Sequence, residues 1–171
     1  MSHTRYTTTI LEDWVTSFYL KIKIRTPDDI SEDYIAKQNE IYIKRANIPS
    51  RYDVIGSFRS ITIDIRKDKL LQREIFFHEL CHILRHSGRQ GMIPEAFRQL
   101  QEWDSCNFVR YAAIPNHMLH FIDFNEPFVI EQMVKMFKVT PELCTERLMQ
   151  IEKRRNLQKF TRSFTINFLK I

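Results

Sequence analysis

Residues 76–86 read FFHELCHILRH, and they contain His-Glu-x-x-His at positions 78–82. Two histidines four residues apart on a helix lie on nearly the same face, roughly 6 Å apart along the axis. His78 and His82 are therefore placed to bind one metal ion. Glu79 points to a neighbouring face, from which it can reach a water on the metal without being a ligand itself. We predict a zinc site in which Glu79 is the general base.

A catalytic zinc ion takes three protein ligands and leaves one position for water, so a third ligand is required. His86 continues the four-residue series, but it would lie about 12 Å along the helix from His78, too far for both to reach one ion. A carboxylate from the following helix remains. We favour Glu102, because the small residues Ser105 and Cys106 follow on its face and would let the two helices pack closely.

Alternatives to this carboxylate stay open. Asp104 lies on nearly the opposite face of the same helix and is expected to be a solvated residue. Glu95 begins that helix, where an acidic side chain is favoured by the helix dipole. Cys106 can also ligate zinc, but we expect it to be a buried reduced thiol. Cys81 is expected to pack into the core and is not a plausible ligand.

The segments before the motif indicate an α+β fold. Apolar residues recur at helical spacing in residues 8–22, which predicts an opening helix. Residues 41–46 and 60–66 alternate β-branched and polar side chains, with a glycine-containing, strand-like run between them. We predict a small antiparallel sheet. Asp68 is expected to cap a helix over residues 69–86 that carries the motif and ends before a glycine.

The segments after the motif are predicted to be mainly helical. A helix is expected over residues 94–113, with prolines marking its start and the stop that follows it. Residues 129–137 and 141–156 predict two helices joined by a tight turn, with Thr140 as the cap of the second. This is the outline of a helix-turn-helix. Residues 157–171 alternate weakly and are predicted to form a strand or a loosely docked tail.

Composition narrows the class of protein. A chain of 171 residues with 43% hydrophobic side chains suits one globular domain with an ordinary core. The spacing of its three cysteines does not match a disulfide framework, and its three glycines are too few for a glycine-rich phosphate loop. No apolar signal segment opens the chain and no run of about 18 apolar residues occurs in it. We expect a cytoplasmic protein with reduced thiols that does not enter a membrane.

The stretch HELCHILRH, followed further along by QEWDSCNFVRYAAIP, resembles the ImmA/IrrE family of cytoplasmic zinc metallopeptidases. In that family the His-Glu-x-x-His helix is followed by a segment of the form Glu-x-x-Ala-Asn-x-Phe-Ala, whose first glutamate is taken to complete the metal site. That glutamate corresponds to Glu102. The resemblance covers roughly residues 30–152. In three places the chain departs from the family: Cys81 replaces glycine, Ser105 replaces alanine, and Cys106 replaces an amide or acid that could orient a ligand histidine.

The resemblance implies a zincin-like metallopeptidase domain that binds Zn²⁺ through His78, His82 and Glu102. Glu79 would deprotonate the attacking water and pass the proton to the leaving amine. The implied substrate is a protein, a helix-turn-helix repressor typically encoded beside the protease on a prophage or integrated element. The group that stabilises the oxyanion stays open, and its candidates are Tyr111, His117 and His120. We assign the chain to a metallopeptidase core, a helix-turn-helix-like segment packed on it, and a tail, over residues 1–120, 121–156 and 157–171.

A DNA-binding regulator is the main alternative function. The net charge of +5 and the basic run at residues 153–155 support it. However, Glu142 and Glu146 lie where phosphates and base edges would approach the second helix of the pair. These charges favour a packing or substrate-docking role for residues 129–156 and leave DNA binding open. A metallopeptidase-like domain that binds without cleaving is a third hypothesis.

Overall fold

The computed structural model describes residues 7–86 and 94–168, with side chains as far as residue 156. These residues form an α+β fold, as predicted, with short 3₁₀ turns at Pro27–Asp29 and Asn116–Phe121. In chain order the described helices and strands are α1 (Ile10–Lys21), α2 (Glu32–Gln38), β1 (Tyr42–Ala46), β2 (Arg51–Ile55), β3 (Phe58–Asp64), α3 (Lys69–Arg85), α4 (Glu95–Ala113), α5 (Val129–Phe137) and α6 (Pro141–Phe168).

The sheet is mixed, with strand order β1-β3-β2. β1 runs parallel to β3, whereas β2 pairs with β3 in the antiparallel direction. The prediction of an antiparallel sheet is therefore wrong for β1. Residues 60–64 of β3 are all buried, as expected for a strand covered on both faces. This burial agrees with the central position of β3 between the two preceding strands.

The turn between β2 and β3 is a tight hairpin. Ile55 pairs with Phe58, so only Gly56 and Ser57 form the loop. Gly56 has a φ of +60°, a left-handed conformation that glycine adopts at low cost and that two-residue hairpin loops require. The short loop leaves β2 as an edge strand beside α3.

Helix α3 carries the histidine motif and begins where predicted. The Asp68 carboxylate accepts a hydrogen bond from the Leu70 amide at 2.8 Å, which caps the helix. The helix ends at Arg85, one residue earlier than predicted. Its apolar side chains enter the core and hold it in place, namely Phe76, Phe77, Leu80 and Cys81.

Helix α4 occupies the predicted range and packs along α3 and α1. Its buried face includes Ser105, Phe108 and Ala112, which are three and four residues apart. Glu102 precedes Ser105 by three residues and so lies on this same face. The packing of α4 therefore directs Glu102 towards α3.

Helices α5 and α6 form the predicted helix pair. The turn between them contains Lys138 in the left-handed conformation, with a φ of 57°. Thr140 Oγ1 accepts a hydrogen bond from the Leu143 amide at 3.3 Å and caps α6, as predicted. Phe137, Val139 and Leu143 are buried in the same core cluster as α1, α3 and α4.

The prediction of a strand or loose tail from residue 157 is wrong. The backbone of α6 continues as one helix to Phe168, and residues 169–171 lie outside the described part of the chain. The reason is local, since residues 157–168 contain neither glycine nor proline to interrupt a helix that has already been nucleated. Of the described helices, none is long and apolar enough to cross a membrane.

A buried ion cluster joins α1 to α6. The Glu12 carboxylate lies 2.8 Å from an Arg147 guanidinium nitrogen and also contacts Arg154. Glu12 is 1% exposed and Arg147 is 0% exposed. The Glu12 carboxylate also accepts a hydrogen bond from the Thr9 amide at 2.9 Å, which closes the capping box of α1. One acidic side chain therefore stabilises a helix start and two basic side chains.

We predict that Glu12→Gln destabilises the protein by about 3–5 kcal/mol, because Arg147 would keep its charge in the interior without its carboxylate partner. The glutamine side-chain amide can still close the capping box, so the loss of stability measures the effect of removing the negative charge. Asp33→Asn is the control, since its pair with Arg45 is exposed and should contribute about 0–1 kcal/mol. Urea unfolding measures both. Equal, small effects would show that the cluster does not hold α1 on α6.

Candidate metal centre

His78, Glu79 and His82 lie on the side of α3 that faces a cleft. The cleft has a volume of about 190 Å³ and is lined by Ser50, Arg51, Tyr52, His78, Glu79, His82 and Glu102. The His78 side chain is 29% exposed, whereas that of His82 is 2% exposed. His78 is therefore the accessible member of the pair and His82 the fixed one.

The structure brings His78, His82 and Glu102 together. The Nε2 atoms of the two histidines are 3.2 Å apart. Glu102 Oε2 lies 3.2 Å from His78 Nε2, and Glu102 Oε1 lies 3.4 Å from His82 Nε2. Ligands about 2.1 Å from a tetrahedral zinc ion are about 3.4 Å from one another. The three side chains thus have the mutual spacing that such an ion needs, and imidazole and carboxylate are suitable donors.

His82 is held between the sheet and α4. On one side the Tyr52 ring stacks on it, with centroids 5.0 Å apart and planes 10° apart. On the other side Ser105 Oγ lies 3.4 Å from His82 Nε2 while donating a hydrogen bond to the Gln101 carbonyl. Burial, reinforced by His78 and His86, lowers the pKa of His82 to about 4. The ring is therefore neutral near pH 7, the form that binds metals.

Glu79 lies beside the cluster without belonging to it. Burial, reinforced by the charge of Glu102, raises the pKa of Glu79 to about 7, and a hydrogen bond from the Tyr52 backbone partly opposes this effect. Burial, reinforced by the charges of Glu79 and Glu102, also raises the pKa of Tyr52. Tyr52 was not among the residues predicted from the sequence, because only the position of β2 beside α3 brings it to the cleft.

Asp104 also faces α3, so the prediction of a solvated residue is wrong. Its carboxylate accepts a hydrogen bond from Arg85 at 2.9 Å and lies 3.1 Å from His86 Nε2. Against the effect of burial, hydrogen bonds and charge from Arg85 and His86 hold the pKa of Asp104 below its ordinary value. Glu102 and Asp104 therefore contact successive turns of α3, and only Glu102 contacts both motif histidines.

His86 connects Asp104 to His82. Its Nδ1 atom is 3.0 Å from His82 Nδ1. If His82 Nε2 is the atom that binds a metal, its proton is on Nδ1 and is donated to His86 Nδ1. The His86 proton is then on Nε2, where it is donated to the Asp104 carboxylate. Each contact in this chain has one donor and one acceptor, and the chain fixes the His82 tautomer as carboxylate–histidine pairs do behind metal ligands.

The other predicted ligands lie elsewhere. Glu95 is exposed at the start of α4, away from the cleft-lining residues. Cys106 is exposed, so the prediction of a buried thiol is wrong for this residue, and Cys81 is buried as predicted. Cys81, His86 and Asp104 form a second group with metal-ligand spacing. However, Arg85 already pairs with Asp104, and burial raises the pKa of Cys81 to about 12, so a metal ion here would have to displace both the arginine and the thiol proton.

The three candidates for the oxyanion group do not line the cleft. The buried Tyr111 hydroxyl accepts hydrogen bonds from Gln150 and Arg154 of α6. His117 packs edge-on against Tyr19, and His120 packs on Phe121. The structure therefore gives these side chains packing roles, whereas Ser50, Arg51 and Tyr52 line the cleft and carry hydrogen-bond donors, with Arg51 Nε already donating to Asp53 at 3.1 Å.

Comparison with known proteins finds relatives in one organism. The chain is 32% identical over 167 residues to the uncharacterized protein YqaB of Bacillus subtilis (strain 168), a match that covers 95% of this chain and 96% of YqaB. It is 29% identical over 147 residues to the phage-like element PBSX protein XkdA of the same organism, covering 85% of this chain and 74% of XkdA. No protein-family model and no solved structure matches the chain.

For zinc at the cluster, we predict that His86→Ala and Asp104→Asn each weaken binding by about 10- to 100-fold, because His82 loses its preferred tautomer and orientation. Competition with a chromophoric chelator measures the affinity. Asp104→Glu should restore part of it, whereas a purely structural role for Asp104 would show as a lower unfolding midpoint at unchanged affinity. Wild-type affinity in both variants would contradict the prediction.

Proposed function

We propose that this chain, which belongs to the same family as YqaB, is a zinc-dependent metallopeptidase with a zincin-like domain. The cluster of His78, His82 and Glu102 carries the proposal, because the two imidazole Nε2 atoms are 3.2 Å apart and each lies 3.2–3.4 Å from one oxygen of the Glu102 carboxylate. Glu79 stands beside that point and supplies a group that can accept a proton. The resemblance of this segment to ImmA/IrrE metallopeptidases supports the same reaction class.

His78, His82 and Glu102 would hold the zinc ion, which when bound supplies a Lewis acid for the peptide carbonyl and the attacking water. Glu79 accepts a proton from that water and returns it to the leaving amine. Its partial burial limits competing solvent around the carboxylate. Tyr52 and Arg51 line the same cleft and can donate hydrogen bonds to the carbonyl oxygen as it gains negative charge.

The geometry suits a protein substrate that binds in an extended conformation. β2 is an edge strand, and its first two residues line the cleft. A substrate segment can therefore add to this edge by main-chain hydrogen bonds. We propose that the substrate is a helix-turn-helix repressor of a prophage or mobile element, in the cytoplasm. XkdA, a phage-like element protein by name, supports the genetic setting.

DNA binding through α5 and α6 draws less support. Two members of the basic run face the protein, since Arg154 pairs with Glu12 and Arg155 lies 4.2 Å over the Phe124 ring. At the start of α6, Glu146 pairs with Arg110. These contacts favour a packing role for α6 over phosphate contacts.

We predict that Glu102→Ala loses zinc under mild chelation that leaves wild-type protein loaded, because two imidazoles alone hold the ion weakly. Glu79→Gln should keep about one zinc ion per chain yet lose cleavage, since only the base is removed. Glu95→Ala, an exposed acid on the same helix, is the matched control and should keep the metal. Elemental analysis after dialysis measures all three. Retention of zinc by Glu102→Ala would refute the ligand assignment.

A second prediction concerns selectivity. Zinc-loaded protein should cut a repressor from its own locus at one or few sites and leave casein intact, because the resemblance to ImmA/IrrE metallopeptidases implies site-specific cleavage of one protein substrate. Electrophoresis and mass spectrometry of the products report both results, with Glu79→Gln as the inactive control. Broad digestion of casein, or intact neighbouring repressors under metal-replete conditions, would contradict the proposed substrate class.

A further inference from the structure

A second group of metal-binding side chains lies at the C-terminal end of α3, beside the site formed by His78, His82 and Glu102. Cys81 and His86 come from α3 and the residue that ends it, and Asp104 reaches them from α4. Asp104 Oδ2 is common to both contacts, at 3.7 Å from Cys81 Sγ and 3.1 Å from His86 Nε2. Thiolate, imidazole and carboxylate are all ligands of zinc.

The spacing of this second group is close to that of a tetrahedral zinc site. Zinc bonds of about 2.3 Å to sulfur and about 2.0–2.1 Å to nitrogen or oxygen put neighbouring ligand atoms about 3.4–3.6 Å apart. The two contacts of Asp104 lie within about 0.3 Å of this range, and all three donor atoms are within 4.8 Å of one another. A rotation of the His86 ring towards Cys81 completes the arrangement.

A metal ion at this group has to displace two partners. It replaces Arg85, which donates a hydrogen bond to Asp104 at 2.9 Å, and it releases the thiol proton of Cys81 to solvent. The Arg85 guanidinium already lies 5.3 Å over the Trp14 ring, so it keeps a partner after it leaves Asp104. Both displacements cost binding energy. This second site is therefore weaker than the first and fills only above one metal ion per chain.

The contact between His82 and His86 couples the two sites. Zinc on His82 Nε2 places the His82 proton on Nδ1, 3.0 Å from His86 Nδ1, which then has to accept a hydrogen bond. A metal ion on His86 Nε2 places the His86 proton on Nδ1 as well. Two N–H donors would then face each other in a buried contact without an acceptor. Each ion therefore weakens the binding of the other.

We propose that Cys81, His86 and Asp104 form a second, inhibitory site for zinc or a softer divalent ion such as cadmium. Metal at this site withdraws the hydrogen bond that holds His82 in its metal-binding tautomer, and it thereby weakens the first site. Excess metal then lowers the activity of the protein instead of raising it. The regulatory role rests on the proposed function, whereas the second site itself does not.

Cadmium tests the second site without a measurement of activity, because a cadmium–thiolate bond gives a near-ultraviolet charge-transfer band that imidazole and carboxylate ligands do not give. Protein with one equivalent of zinc is titrated with cadmium. The band should appear in the wild type, in Cys144→Ala, whose thiol is equally buried, and in Cys106→Ser, which lacks the exposed thiol. It should be missing from Cys81→Ala. Cys81→Ser serves the same purpose if the alanine variant does not fold.

The coupling is measured as the zinc affinity of the first site, by competition with a chromophoric chelator in the absence of cadmium and at the cadmium concentration that saturates the band. Cadmium also competes directly for the first site, and Cys81→Ala measures this direct competition alone. Beyond that effect, the zinc affinity of the wild type should fall by about 5- to 150-fold. Excess zinc should also slow cleavage by the wild type more than cleavage by Cys81→Ala.

Absence of the band, or a band that persists in Cys81→Ala or disappears in Cys106→Ser, would overturn the second site and leave the first standing. A band that depends on Cys81, together with an equal fall in zinc affinity in the wild type and Cys81→Ala, would overturn the coupling. If no protein binds zinc at the first site, the proposed function and the regulatory role both fail, whereas the cadmium band still decides the second site.

Discussion

The close contact of α3 and α4 over Ser105 is the constraint on which the candidate site depends. Ser105 is fully buried, and its hydroxyl lies 3.4 Å from His82 Nε2. A larger side chain there would separate the two helices and move Glu102 away from the histidines. Tyr52 stacks on the His82 ring, so the ring is fixed by the sheet and by α4 together. The fold thus sets the direction of two side chains, His78 and His82, whose spacing is fixed within one helix.

Burying polar side chains at this site costs free energy, and hydrogen bonds between them offset that cost. A neutral His82 with 2% exposure needs a partner for Nδ1, and His86 provides it. His86 in turn contacts Asp104, whose charge is balanced by Arg85. Polar groups in a low-dielectric interior are expensive when unpaired, and here each has a partner. The same principle operates far from the site, where Glu12 is buried with Arg147 and Arg154.

Most local features of the chain were predictable, whereas relations between elements were predictable only in part. The spacing of His78 and His82 and the cap at Asp68 follow from helix geometry within one segment. Glu102 was predicted from the phase of α4 relative to Ser105. The sequence does not predict the position of Asp104, because α4 follows α3 closely enough for both acidic side chains to reach it at different turns. Tyr52 and the parallel pairing of β1 depend on strand order, which alternation of side chains does not encode.

We propose that one zinc ion binds to two imidazoles and a carboxylate at this contact. X-ray absorption spectroscopy of the zinc-loaded wild-type protein tests it most directly, because zinc bonds to sulfur are longer, about 2.3 Å, than those to nitrogen or oxygen, about 2.0–2.1 Å. We predict a shell of nitrogen and oxygen atoms only, with outer scattering from two imidazole rings. A sulfur ligand at one zinc ion per chain would contradict this proposal, since it would assign the metal to a cysteine, and so would a protein that retains no zinc.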